Sequence, residues 1–308
     1  MSFNKLSTLH WHLVDDQSWP LFSATYPNFT AGAYCADCIY THEDITRIVA
    51  YAEARGIRVL PELDMPGHAA IWGKGYPQLE ITCPGGESLL NPIDDGSEFS
   101  VYTVLDNLLS EFGPLFRTAD VIHLGGVSFF LYLFRGAGAR KAVGASSTIA
   151  RPYPPPPPHT PQLQDEVESL DCWAQSPAVT AWAASKGLPS MDAVRNYFED
   201  KIQTIAAAHS LRSMFWEEVY DKGYKLHPES IVDVWLSFKE VDAVVASGNN
   251  VVISYGLYLD QQTPVGPTHY FWADTWMNFW ENGTPNSAFP HRQSAGSAPF
   301  NRRPLSPA

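Results

Sequence analysis

The sequence predicts an α/β protein built on a parallel sheet, and three observations carry that expectation. Apolar runs of strand length alternate with amphipathic helices six times along the 308 residues. The C-terminal ends of those runs collect carboxylates, imidazoles and indoles: His10, His12, Asp15, Asp16, Glu62, Asp64, His68, His123, Trp216, Glu217 and Trp235. Many strand ends feeding one site is the habit of a (β/α)8 TIM barrel, whereas a doubly wound sheet concentrates its site at one topological switch. There is also no Gly-x-Gly-x-x-Gly turn or phosphate loop, which weighs against nucleotide chemistry. Six strands do not close a barrel of eight, so the expected architecture is an incomplete one.

Taken in order, residues 6–14 form an apolar run punctuated by His10 and His12 and read as a strand ending at Asp15 and Asp16. Thr41 caps a helix, with Asp44 placed three residues on as in a capping box. Ile45, Ile48, Val49 and Ala52 repeat at helical spacing, and Gly56 stops the helix. Residues 57–63 are the next strand, closed by Asp64, Pro66 and Gly67. Residues 101–112 carry Val104, Leu105, Leu108 and Leu109 on one helical face, before a strand over 121–124 and the pair Gly125-Gly126. Val194, Tyr197, Phe198, Ile202 and Ile205 mark a third helix, followed by a strand over 213–216 that ends in Glu217 and Glu218. A short strand over 231–235, a helix over 239–246 stopped by Gly248, and a strand over 251–255 complete the alternation.

Composition narrows the chemistry. Hydrophobic residues make up 45% and aromatics 13% of the chain, enough for a substantial core. The net charge of −13 argues against nucleic acid or an anionic membrane surface as partner, and no run of 18 uncharged apolar residues predicts a membrane span. The N-terminus does not read as a signal peptide, because Asn4, Lys5 and His10 interrupt it. Four cysteines allow two disulfides in three pairings, and Asn28-Phe29-Thr30 and Asn282-Gly283-Thr284 match the N-glycosylation pattern of an exported chain.

The acidic balance is uneven. Residues 127–164 hold four basic side chains, no acid and the run Pro154 to Pro158; residues 283–308 hold three arginines and no acid. The remaining 244 residues therefore carry all 33 acidic side chains against 13 basic ones. Neither stretch reads as a structural element: polyproline cannot join a sheet ladder, and the Ser, Pro and Asn of the tail read as disordered. The expected organisation is a first barrel part over 1–126, a foreign insert over 127–164, a second barrel part over 165–282, and an aberrant tail over 283–308.

A mixture of carboxylates and indoles suits a sugar, since indole faces stack on the C–H faces of a pyranose while carboxylates bind hydroxyls and move protons. Trp11, Trp216 and Trp235 can equally be core residues, and His10 and His12 can simply brace Asp15 or Asp16. Alternating histidines supply two metal ligands but no spacing that fixes a third, so no metal site and no cofactor are expected.

Several segments together resemble the β-N-acetylhexosaminidases of glycoside hydrolase family 20: Leu9-His10-Trp11-His12-Leu13-Val14-Asp15-Asp16, Gly56-Ile57-Arg58-Val59-Leu60-Pro61-Glu62, and Asp64-Met65-Pro66-Gly67-His68. The likeness continues through His123-Leu124-Gly125-Gly126, Cys172-Trp173, Trp216-Glu217-Glu218-Val219, Val234-Trp235 and Tyr258-Leu259-Asp260. In that family the His-Leu-Gly-Gly strand end runs straight into Asp-Glu-Val. Here Val127 follows Gly126, and Asp165-Glu166-Val167 stands immediately after the foreign stretch. Removing 127–164 restores the motif. Val127-Ser128 can be encoded by a donor-like GTNAGY, Gln164 by an acceptor-like CAG, and the 114 nucleotides keep the reading frame, as an unspliced intron would.

The resemblance implies an exo-acting hydrolase that removes terminal β-linked N-acetylglucosamine or N-acetylgalactosamine by a retaining, substrate-assisted route. It implies Glu166 as general acid and base, Asp165 as the group that holds the acetamido N–H, and Tyr258 as donor to the acetamido oxygen. Trp216 and Trp235 are implied as walls of the acetamido pocket, with Asp64, His68 and His123 as polar support. A Cys83–Cys172 disulfide is implied too, and Cys35 and Cys38 are placed for a short local bridge. The expected partner is an N-acetylhexosamine-terminated glycan or chitooligosaccharide, a homodimer is left open, and the full-length product is expected to be secreted, lysosomal or vacuolar, with its leader absent here. The family's sugar-binding Arg strand and its last strand are also absent, which implies barrel strands 2 to 7, and Leu257 stands where many relatives have Trp. The alternatives are a catalytically inactive carbohydrate-binding remnant and a chitinase-like endo-hydrolase.

Overall fold

The computed structural model describes residues 1–83, 88–126, 170–236, 239–255, 261–266 and 269–273. Two compact units divide after Ile253. The first contains, in chain order, β1 Thr8–Val14, α1 His42–Glu53, β2 Arg58–Met65, α2 Ala70–Gly75, β3 Glu80–Thr82, β4 Ser88–Leu90, α3 Val101–Phe112 and β5 Val121–Gly125. It continues with α4 Asp171–Gln175, α5 Pro177–Ser185, α6 Met191–Ala208, β6 Arg212–Trp216, α7 Glu217–Asp221, β7 Ile231–Val234, α8 Lys239–Ser247 and β8 Asn250–Ile253. Within the second unit, β9 Gln261–Gly266 and β10 His269–Ala273 form an antiparallel pair.

Six strands form one parallel sheet in the order β1-β2-β5-β6-β7-β8. Apart from the small antiparallel pair of β3 with β4, this is chain order with no reversal. A doubly wound sheet requires a reversal, so the order is that of a barrel wall. The capping box at Thr41 is present in full: its hydroxyl accepts from the Asp44 N–H, and the Asp44 carboxylate accepts from the Thr41 N–H. Helix α3 spans the expected residues, with Val104, Leu105, Leu108 and Leu109 all buried.

The strand period of two separates the faces of the sheet. On one face, Val59, Leu63, Ile122, Leu124 and Phe215 join the main core, which also takes in the buried sides of α1, α3 and α6. On the other, Leu60, Val121, Met214 and Ile231 form a separate cluster, one residue from each of four adjacent strands. One alternation further toward the C-terminal ends, the same face carries Glu62, His123, Trp216 and Asp233. An apolar layer thus floors a polar one.

Both disulfides are formed: Cys35–Cys38 locally, and Cys83–Cys172 across a separation of 89 residues, tying the end of β3 to α4. No helix among the described residues is long and apolar enough to cross a membrane. Closing so long a loop restricts the unfolded chain, so the Cys83→Ser/Cys172→Ser double variant is expected to lose about 2–4 kcal/mol of unfolding free energy. Denaturant titration under non-reducing conditions measures this, and an unchanged midpoint would contradict it.

Candidate active site

The polar layer converges on Glu62, whose residue is 1% exposed. His10 Nε2 from β1 lies 2.7 Å from Glu62 Oε2, and His123 Nδ1 from β5 lies 2.9 Å from Oε1. The Trp216 indole N–H, at the end of β6, donates to the same Oε1 at 3.0 Å. The rings follow: His10 stacks on His123 at 4.9 Å, and Trp216 meets His123 at 4.6 Å between centroids. Burial pushes the Glu62 carboxyl up, but the His123 charge and the contacts from His10 and His123 outweigh it and hold the group well below the usual carboxylate range.

Two residues along β2, Asp64 experiences the opposite balance. Its burial and the neighbouring Glu62 charge push it well above the usual range, although His68 opposes them. His12 Nε2 lies 2.8 Å from Asp64 Oδ2, and His68 Nδ1 lies 2.9 Å from Asp15 Oδ1 and 3.7 Å from Asp64 Oδ2. The reading in which His10 and His12 brace Asp15 or Asp16 is therefore corrected. Both reach across to β2, His12 staying 3.9 Å from Asp15, whose close partner is His68. Burial lowers the His68 ring, yet the Asp15 bond and the Asp64 and Asp15 charges raise it to about 9. His68 also sits in the left-handed region, at φ 52°, a strained conformation that its two carboxylate contacts help to hold.

The turn after β5 is built for close approach. A Cβ on Gly125, at φ 73°, would stand 2.2 Å from Asp64 Oδ1, and one on Gly126, at φ 93°, 2.3 Å from Val219 Cγ2. Asp64 therefore lies against the strand end that leads into residue 127. Asp64 Oδ1, His68 Nε2 and His123 Nε2 are buried and meet no hydrogen-bond partner among the described residues.

On the other side, Trp216 and Trp235 are half-buried and meet edge to face at 6.2 Å. Trp11 belongs elsewhere: it packs against the main core and meets Tyr40 edge-on at 5.1 Å. Of the predicted site residues, Asp64, His68, His123, Trp216 and Trp235 are brought to neighbouring strand ends, and Cys83 and Cys172 are paired. Asp165, Glu166 and Tyr258 lie outside the described residues. Glu62, recognised in the sequence only as one strand-end carboxylate among several, is the hub of the layer. The signal for it was its alternation with Asp64 on a buried strand.

Three overlapping sets could hold a metal ion: His10 with Glu62 and His123, His12 with Glu62 and Asp64, and Asp15 with Asp64 and His68. In each, imidazoles already meet carboxylates, an arrangement that orients groups and moves protons without an ion. The raised His68 value carries a stability consequence. A ring with a free value near 6.5 that rises to about 9 on folding stabilises fully below pH 6.5 and loses that contribution as pH climbs through 9. The stability difference between wild type and His68→Gln is thus expected to shrink between pH 6 and 9, with the His68 ring titrating near 9 by NMR. A midpoint near 6.5 would contradict it.

The comparisons with known proteins agree with this geometry. The glycosyl hydrolase family 20 catalytic domain matches residues 1–297. The chain is 34% identical over 288 residues to β-hexosaminidase subunit A1 of Dictyostelium discoideum, covering 93% of this chain and 46% of that protein. Against the human β-hexosaminidase subunit beta the identity is 33% over 268 residues, covering 84% and 41%. Among solved structures, the Flavobacterium johnsoniae chitobiase superposes with a TM-score of 0.61 at 27% identity, over 86% of this chain and 36% of that one. The chain spans less than half the length of these relatives. It belongs to glycosyl hydrolase family 20.

Proposed function

We propose that this chain derives from the catalytic barrel of an exo-acting β-N-acetylhexosaminidase that releases terminal β-linked N-acetylglucosamine or N-acetylgalactosamine. The observation that carries the reading is the trio of buried polar atoms on Asp64, His68 and His123 that meet no hydrogen-bond partner among the described residues, with Asp64 against the turn where Gly125-Gly126 leave the sheet. Buried polar atoms in native proteins find partners. An Asp-Glu pair delivered directly by that turn supplies groups of the right kind. The six sheet strands correspond in this reading to strands 2 to 7 of an eight-stranded barrel.

Glu166 then protonates the glycosidic oxygen, which leaves as the alcohol, while the substrate's own acetamido oxygen attacks the anomeric carbon from the opposite face and inverts it, giving an oxazolinium ion; the later attack of water inverts it again, so the net outcome is retention. Asp165 stays ionised, holds the acetamido N–H and balances the developing positive charge. Tyr258 donates to the acetamido oxygen. Trp216 and Trp235 wall the acetamido group, and Glu166, now a carboxylate, deprotonates the water that opens the ring. Splitting roles between adjacent carboxylates needs their proton affinities pushed apart. The opposite shifts of Glu62 and Asp64 support a field at these strand ends able to do so.

The separation of Gly126 from Asp165 favours a second reading of the 308-residue chain, as an inactive form. Residues 127–164 intervene within the motif, and a displacement of 1 Å at a reacting group can cost about 100-fold. We infer that the stretch is a retained intron, with residues 1–126 as the first part of the catalytic barrel and 165–282 as the second. Deleting 127–164 is expected to raise hydrolysis of a chromogenic β-N-acetylglucosaminide by roughly 100-fold or more, and Glu166→Gln in the joined chain to abolish it. Full activity of the 308-residue chain, or activity surviving Glu166→Gln, would overturn the assignment.

A further inference from the structure

We propose that Glu217 is a positioning residue for Trp235 and, through that indole, sets how closely the pocket fits the N-acyl group of the sugar. The second half of this statement rests on the hexosaminidase reading above. Strand β7 ends at Val234, so the backbone N–H groups of Trp235 and Leu236 leave the ladder without a strand partner of their own. Glu217, at the neighbouring end of β6, takes both. Its Oε2 accepts from the Trp235 N–H at 2.6 Å and from the Leu236 N–H at 3.0 Å.

The ring is held separately. The Trp235 indole N–H donates to Glu218 Oε2 at 3.0 Å, so adjacent carboxylates grip one residue by its backbone and by its side chain. Both carboxylates are buried, with their residues 1% and 3% exposed. A buried carboxyl oxygen holding two N–H groups gives a rigid join, because its loss leaves two orphan donors with no water to replace it. The Trp216 ring, fixed by Glu62, meets Trp235 edge to face. The angle between the two indoles is thus determined by carboxylates behind them, and a pocket wall that cannot yield discriminates acyl size.

Four variants of the full chain test this: Glu217→Ala, Glu217→Gln, Trp235→Phe and the Glu217→Ala/Trp235→Phe double. Near-ultraviolet circular dichroism reads the indole environment without requiring turnover. The Trp235 band, defined by subtracting the Trp235→Phe spectrum, is expected to collapse in Glu217→Ala. It should persist in Glu217→Gln, whose amide oxygen can still accept both N–H groups. On N-acetyl, N-propionyl and N-butanoyl glucosaminides, Glu217→Ala made in the chain with residues 127–164 deleted is expected to lower kcat/KM for the acetyl substrate roughly 10- to 100-fold and to flatten the preference for acetyl. The double variant should be no worse than Trp235→Phe.

A Trp235 band unchanged in Glu217→Ala overturns the proposal, as do Glu217 and Trp235 effects on acyl preference that simply multiply. If the chain with residues 127–164 deleted turns over none of the three substrates, the hexosaminidase reading fails, while the dichroism of the full chain still decides whether Glu217 holds Trp235.

Discussion

A single buried carboxylate organises the strand ends of this sheet. Glu62 sits almost completely out of water, where an unpaired charge costs several kcal/mol. It is tolerable only because β1, β5 and β6 each deliver a partner: His10, His123 and the Trp216 indole. Those partners are separated from Glu62 by 52, 61 and 154 positions in the chain. Satisfying one side chain therefore fixes the relative register of three strands and the orientation of an aromatic ring together. A slip of one residue in any of them would turn the partner to the opposite face.

The layer beneath makes the constraint sharper. Leu60, Val121, Met214 and Ile231 close the inner face with aliphatic and thioether side chains, so the polar groups above them have no water from below. In that setting small differences of surroundings separate like groups widely. Glu62, surrounded by imidazoles, is held ionised, whereas Asp64, two residues on and facing the Glu62 charge, is pushed toward its protonated form. The glycine turn completes the arrangement by letting β5 pass against Asp64 where a Cβ would collide. Proton chemistry at neutral pH needs such divergence between neighbours, and here it arises from strand alternation and burial.

Much of this was legible in the linear sequence, because periodic patterns and helix caps are local. The capping box of Thr41 and Asp44, the apolar face of α3 and the six strands of the sheet all follow from spacing within a few residues. The β3 and β4 pair and the short helices α2, α4, α5 and α7 went unread. Strands of three residues and helices of five or six show no full period, α5 carries no one-sided apolar stripe, and their existence depends on packing such as the Cys83–Cys172 tie. The partner choices of His10, His12 and Asp15 were not legible either, since they are settled by which strands become neighbours. Nor was the grip of Glu217 on Trp235 visible, because it exists only once β7 stops beside the end of β6. The catalytic assignments of Asp165, Glu166 and Tyr258, which lie outside the described residues, rest on family resemblance.

The most direct measurement is the unfolding free energy of Glu62→Gln, followed together with near-ultraviolet circular dichroism of the tryptophans. Removing the charge leaves His10 and His123 without their counterpart, so a loss of about 3–5 kcal/mol is expected, with an altered Trp216 signal. A loss within ~0.5 kcal/mol, as for an ordinary surface substitution, with the tryptophan spectrum unchanged, would show that Glu62 does not organise the site.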